Sequence, residues 1–240
     1  NLFYRNIMVN KQQILLFPFS NITLKINGVG TYAVFAPHPT FQNSFYPDEV
    51  HINGIKQSDI KNNYDFFEED NIIELIWYNN NINDCQNMFS ECTKITEMDL
   101  SNFDTSNVIK MWRMFFNCVE LTSINLTNFN IPKAQDIRGL FKNCKKLTSI
   151  DLSSFDTSKA ILIQGMFDGC SSLISINLSH FDTSNTKEIY ELFIGCNNLE
   201  YIILPKFDES KLIDVHDMFK NVPENIVVCM NEDNTKKILP

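Results

Sequence analysis

Apolar residues return along most of this chain at a fixed interval of 26. Cys92, Cys118, Cys144, Cys170 and Cys196 mark it without interruption. Read against that ruler, Ile95, Leu121, Leu147, Leu173 and Leu199 fall in one column. Met98, Ile124, Ile150, Ile176 and Ile202 form a second, and Leu100, Leu126, Leu152, Leu178 and Leu204 a third. The spacing L-x-x-I-x-L puts the last two on one face of a short strand, because strand side chains alternate with a period of two. Phe103, Phe129, Phe155, Phe181 and Phe207 follow three residues later, as an aromatic spine at the corner of each coil. Asp104, Asp156, Asp182 and Asp208, with Asn130 as the exception, then lead into Ser and Thr, side chains that cap helix N-termini. Val108, Met111, Met114, Phe115 and Cys118 recur at steps of three and four, as do Ala160, Ile163, Met166, Phe167 and Cys170, which predicts one buried helical face per coil.

The ruler extends back to Ile82, Cys85, Met88, Phe89 and Cys92, and forward to Leu212, Val215, Met218, Phe219 and Val222, where the cysteine is lost. A period of this length predicts coils that bury their apolar faces only on neighbours, so one coil alone does not fold. The expected fold class is α/β, a solenoid with a parallel sheet and outer helices over residues 71–222. Ile226 to Met230 reads as a closing strand within a C-terminal cap, 223–240.

Residues 1–70 do not follow the ruler. Ile14–Phe17, Ile22–Ile26, Tyr32–Phe35 and Val50–Ile52 read as short strands, and Asn27-Gly28 and Asn53-Gly54 as hairpin turns. This predicts a small β-rich N-terminal cap, with Ile72–Trp77 as the strand that meets the first coil. A carbohydrate-binding β-sandwich is the alternative reading of the segment.

The phrases from Leu147 to Ser158 (L-T-S-I-D-L-S-S-F-D-T-S) and from Gly165 to Leu173 (G-M-F-D-G-C-S-S-L) resemble the repeats of BspA-like leucine-rich-repeat surface proteins, including their mycoplasma-type variant. The resemblance spans roughly residues 72–230, and the Asn-, Ile- and Lys-rich composition is similar to protist members. It implies a curved solenoid with sheet inside and helices outside, display on a cell surface and use in adhesion. It implies no catalytic residues.

A net charge of −9 and a pI near 4.9 argue against nucleic acid, which selects for clustered Lys and Arg. The longest apolar run, Ile14 to Phe19, is too short to span a bilayer. No signal peptide or anchor is visible, and a chain that opens on Asn1 rather than Met is expected to be a trimmed fragment. Of the seven cysteines, six are explained by packing on the predicted helix face; Cys229, outside the ladder, is the one candidate for an exposed thiol, with burial in the last strand the favoured expectation. C-x-x-C spacing for zinc is absent, one Asp per coil gives too few oxygens for calcium, and His38, His51, His180 and His216 have no nucleophile at a recognisable spacing. No cofactor is expected.

The sheet face carries small polar residues: Glu97, Ser123, Ser149 and Ser175, then Tyr201, with Asp99, Asn125, Asp151 and Asn177 beside them. It reads either as a solvated strand face or as a hydrogen-bonding surface for a glycan or extended protein. Sequons at Asn21, Asn125 and Asn177 are glycosylation candidates in a secreted eukaryotic protein, and sugars at Asn125 and Asn177 would cover that face. Recognition then falls to the helix side, where Ile109, Trp112, Ile161, Leu162 and Tyr190 occupy columns expected to be exposed. Three functions follow. The first is a non-enzymatic, extracellular or surface-displayed protein that binds a protein or glycan on another cell or matrix. The second is a component that self-associates into a coat or fibre, and the third, least supported, an enzyme in the N-terminal domain.

Overall fold

A computed structural model describes residues 19–37, 45–79, 81–204 and 213–229 of the chain. Eleven strands are described: β1 (Ser20–Asn27), β2 (Gly30–Ala33), β3 (Glu49–Ile52), β4 (Ile55–Lys56), β5 (Asn63–Phe66), β6 (Asp70–Trp77), β7 (Ile95–Asp99), β8 (Ser123–Asn125), β9 (Ser175–Asn177), β10 (Tyr201–Ile203) and β11 (Val227–Cys229). The strand expected at Ile14–Phe17, and His38, Phe207, Asp208, Leu212 and Met230, lie outside the described residues.

The α/β expectation is overturned. Among the described residues there is no α-helix, and the segments read as outer helices are successions of tight turns. Their backbone amides alternate in direction. Met111, Arg113, Phe115 and Asn117 donate to the carbonyls of Asp136, Arg138, Leu140 and Lys142 in the next coil, at 2.8–3.0 Å. Met114, Phe116 and Cys118 donate back three residues within their own coil. An α-helix sends every amide four residues back along its own axis, so the two arrangements exclude each other.

The alternation has a conformational cause. Each coil holds two left-handed residues four apart: Asn87 and Glu91, Arg113 and Asn117, Gly139 and Asn143, Gly165 and Gly169, Glu191 and Gly195, Asp217 and Asn221. Nine of these twelve are Gly (four), Asn (four) or Asp (one), the residues that enter this region at least cost. Geometry excludes helices independently. Phe89, Phe115, Phe141, Phe167, Phe193 and Phe219 stack in this column with ring centroids 5.2–5.9 Å apart and planes within 11° of parallel. A helix is about 10 Å across with its side chains and cannot repeat at half that interval. The opposite column, Phe103, Phe129, Phe155 and Phe181, rises by 5.7–6.5 Å per coil. With both flanks rising nearly together, the wedge that wide helices would drive into a stack is missing.

The parallel sheet is also not continuous. β7 and β8 belong to a six-stranded sheet of order β4-β3-β6-β1-β7-β8, and β9 to a separate three-stranded sheet of order β11-β10-β9. The unbroken connection lies on the turn side, where single parallel bridges join Asp84, Lys110, Asp136, Leu162, Glu188 and Asp214 through six coils.

The strand that meets the first coil is β1, not β6. β1 is antiparallel to β6 on one side and to β7 on the other, with Thr23 opposite Asp99 and Leu24 opposite Met98. Ile22, Leu24 and Ile26 are fully buried beneath it. Trp77 carries the core across the junction, packing edge-on against Phe103 at 5.1 Å. Asn53-Gly54 closes a two-residue hairpin, with positive φ at both residues, between Ile52 and Ile55. Asn27-Gly28 does not, because β2 leaves β1 to pair with β5 in a separate two-stranded sheet.

The residues expected to cap helices instead cap turns. Asp104, Asp156 and Asp182 accept from the amides of Ser106, Ser158 and Ser184, two residues on, at 2.8–3.0 Å. Burial of these turns rests on the aromatic column, so Phe141→Ala is expected to lower stability by about 3–5 kcal/mol, read as a fall in the urea midpoint. Gly169→Ala is expected to cost about 1–3 kcal/mol by the same measure. Gly169 sits at φ +71°, and an added Cβ would lie 2.2 Å from Asn143 Oδ1. Asn143 is held there by its bond to Asn117, which in turn bonds Glu91, each at 2.8 Å.

Candidate functional surface

Five cysteines sit in the turn column. Cys118, Cys144, Cys170 and Cys196 each point a thiol at the carbonyl of Phe89, Phe115, Phe141 and Phe167 in the preceding coil, at 3.1–3.2 Å. Burial pushes these thiols far up, Cys196 to about 12, so they stay protonated donors and neither nucleophiles nor metal ligands. Cys229 departs from its expected burial. It lies exposed on β11, with Sγ 3.0 Å from the Tyr201 hydroxyl. Among the described residues no three His, Cys, Asp or Glu gather as a metal site.

A cluster of titratable groups lies at the β3–β4 hairpin. Glu49 bonds His51 at 2.7 Å and also contacts Lys56 and Tyr78. Hydrogen bonds from Lys56, Tyr78 and His51 hold its carboxyl down at about 2, while Tyr78 is raised to about 12. A carboxylate held that low is a weak base, which suits structure more than proton transfer.

The six residues expected to bind are divided by the structure. Ile109 and Ile161 are 39% and 46% exposed and stand in one column, Asn83, Ile109, Gln135, Ile161, Lys187 and Ile213, all exposed. Ile213, 77% exposed, was missed by the sequence reading although the 26-residue ruler places it there. Trp112 is half-buried, with the guanidinium carbons of Arg113 and Arg138 5.0 and 5.8 Å from its ring centroid. Tyr190 is half-buried and stacked on His216 at 4.8 Å. Leu162 is half-buried in the bridge column between Asp136 and Glu188. Tyr201 is on the sheet side, away from the other five, at 38% exposure.

Lysines flank the isoleucines. Lys110, Lys133, Lys159 and Lys187 are exposed, and a shallow depression is lined by Gln135, Lys159, Ile161, Asn185 and Lys187. Asn125 is exposed on β8, its Nδ2 donating to Asp99 Oδ1 at 3.0 Å, Asn177 is exposed on β9, and Asn21 is half-buried on β1.

Two consequences are measurable. Under native conditions one fast-reacting thiol, Cys229, is expected with a disulfide reagent, and all seven cysteines after unfolding. Because Glu49 is depressed in the fold, its stabilisation is full above its ordinary value of 4.5 and is lost as pH falls toward about 2. Glu49→Gln is therefore expected to be less stable than wild type at pH 7, with the gap closing between pH 4.5 and 2.

No curated protein matches the chain. A leucine-rich-repeat protein of T. pallidum is similar at 20% identity over 60% of this chain and 72% of its own, with a TM-score of 0.40, too low to carry an argument about the fold. No helix among the described residues is long and apolar enough to cross a membrane. The family described as Mycoplasma protein of unknown function, DUF285, matches over two overlapping stretches, 58–173 and 114–231, which together span most of the sequence. The chain therefore belongs to this family.

Proposed function

We propose that the protein is a non-enzymatic repeat protein of the cell surface or extracellular space that adheres to another macromolecule through its turn side. In this reading residues 1–70 cap the repeats of 71–222, and 223–240 close them. The observation that carries it is the exposed Ile109, Ile161 and Ile213, set beside lysines that have no ion-pair partner among the described residues, in a chain of net charge −9. Exposed apolar side chains recurring in register, on a surface whose neighbours are otherwise polar, mark contact surfaces more than solvated ones. The bonds of Asn125 to Asp99 and to Thr127 leave the sheet face a self-satisfied polar ladder.

Self-association into a coat or fibre is the second reading. It is favoured by Ile174, just before β9, and by Tyr201 and Val227, paired across β10 and β11, exposed apolar residues that line one depression. Beads coated with the protein are expected to adhere to matrix-coated surfaces, and Ile109→Asp/Ile161→Asp to abolish that adhesion without lowering the unfolding midpoint. Adhesion unchanged by the double substitution rejects the turn side, and sedimentation showing concentration-dependent growth that Tyr201→Asp abolishes favours the second reading.

A further inference from the structure

Resting on the second reading above and independent of the first, we propose that self-association joins two copies of this chain tail to tail through the open edge of β11, and that it stops at a dimer. The backbone comes first. β11 runs parallel to β10, with Val227, Val228 and Cys229 opposite Tyr201, Ile202 and Ile203. Val227 donates its amide to Glu200 at 2.9 Å, and the Cys229 carbonyl accepts from Leu204 at 2.8 Å. Strand residues alternate in the side to which their amide and carbonyl point, so those of Val228 face away from β10. Among the described residues no strand pairs with them, since β11 ends its sheet. β4, an edge of the other sheet, is two residues long and carries Lys56, which blunts it, whereas β11 carries no charge.

The end of the stack beside that edge is apolar. In the coil before the last, Ile189, Phe193, Cys196 and Ile202 are fully buried, whereas Val215, Phe219, Val222 and Val228 in the same columns are half-buried. The stacked phenylalanines end at Phe219, which has a ring on one side only among the described residues. A stack of repeats stays single when its terminal coil presents a polar outer face, and these four residues present an apolar one. Ile174, Tyr201 and Val227 extend it along the depression beside the edge, where Glu200 is the only charged residue of the ten that line it. The charged residues of 213–229 are Asp214, His216, Asp217, Lys220 and Glu224. Asp214 is bonded to His216 at 2.6 Å and Asp217 to Lys220 at 2.8 Å, which leaves Glu224.

A two-fold axis at Val228 meets these features together. Val228 of one copy donates to and accepts from Val228 of the other, an antiparallel pair with Cα atoms about 5.5 Å apart. Val227 then stands opposite Cys229 of the other copy, and the two apolar ends close on each other with few like charges brought together. A strand of an unrelated protein would use the edge and leave the apolar end beside it uncovered. A contact that uses the same patch on both copies is complete at two. At the N-terminal end β1 is already paired on both sides, with β6 and β7, so the stack does not continue from there.

The test is sedimentation velocity of the full chain over a wide concentration range, which is expected to show monomer and dimer and nothing larger. Cys229, exposed on β11, reports the register. In the proposed pairing the two copies of Cys229 are diagonal neighbours about 7–8 Å apart, so a bismaleimide that spans about 8 Å is expected to link native chains into covalent dimers. Cys229→Ser is expected to stop the linkage and leave the sedimenting dimer. Val227→Lys, which sets like charges beside the axis, is expected to weaken the dimer at least about tenfold without moving the thermal midpoint of dilute protein. Monomer at every concentration, a dimer indifferent to Val227→Lys, or a dimer that the bismaleimide does not link overturns the proposal. If species larger than a dimer form and Tyr201→Asp abolishes them, self-association stands and the closed dimer falls. If only monomer sediments, both fall, and the adhesive reading is untouched.

Discussion

Which way the backbone amides of the turn segments point governs this molecule. Two left-handed residues in each coil rotate alternate N–H groups out of the coil and toward its neighbour, so that Met111, Arg113, Phe115 and Asn117 bond across to the next coil. Once those amides face along the stack, each coil must sit one hydrogen-bonded spacing from the next, and the two phenylalanine columns recur at 5.2–6.5 Å. The phenylalanine rings are held near van der Waals contact, the thiols of Cys118, Cys144, Cys170 and Cys196 each reach a carbonyl of the coil before, and the asparagines Asn117 and Asn143 bond in series to Glu91. A helix in the same place would satisfy its own amides and leave the neighbouring coils joined by side chains alone.

The same constraint shapes the surface. Residues one coil apart are brought closer than helices would allow, so a column such as Ile109, Gln135, Ile161, Lys187 and Ile213 becomes a dense linear array and not a set of separated points. Four exposed lysines, Lys110, Lys133, Lys159 and Lys187, stand along this edge, beside a bridge column that also carries Asp84, Asp136, Glu188 and Asp214. On the other side, Asx turns from Asp99, Asn125, Asp151 and Asn177 to the amides two residues on consume much of the hydrogen-bonding capacity that the ladder of polar side chains seemed to offer. The two faces differ in what they leave unsatisfied: the sheet side is self-bonded, and the turn side exposes Ile109, Ile161 and Ile213.

The N-terminal strands join the first coils through backbone hydrogen bonds. β1 accommodates an antiparallel neighbour on each side, and Trp77 continues the aromatic column begun at Phe103. The alternation of buried and half-buried residues along β1, from Ser20 to Ile26, is that of a strand with one face in a core. The parallel coils thus begin on an antiparallel strand and not on an open edge of unpaired amides.

The period, the buried columns, the stacked phenylalanines and cysteines and the Asn53-Gly54 hairpin were all legible in the residues, because each depends on local spacing or local turn chemistry. The absence of α-helices among the described residues was nearly legible too. Steps of three and four among Val108, Met111, Met114, Phe115 and Cys118 suit a helix, but they suit successive three-residue turns equally well, and apolar spacing cannot separate the two. The Gly and Asn residues at 139, 143, 165, 169 and 195 were the discriminating signal, since they are poor in helices and tolerant of positive φ. What no local pattern held was partnership between distant segments. That β1 and not β6 meets the first coil, that the parallel sheet breaks between β8 and β9, that Arg113 and Arg138 cover Trp112, and that Cys229 stays exposed beside Tyr201 are each fixed by which backbones and side chains the fold brings together. Periodicity fixes which residues share a column, but the exposure of a column depends on its neighbours across the stack, and those are set only when the coils close on one another.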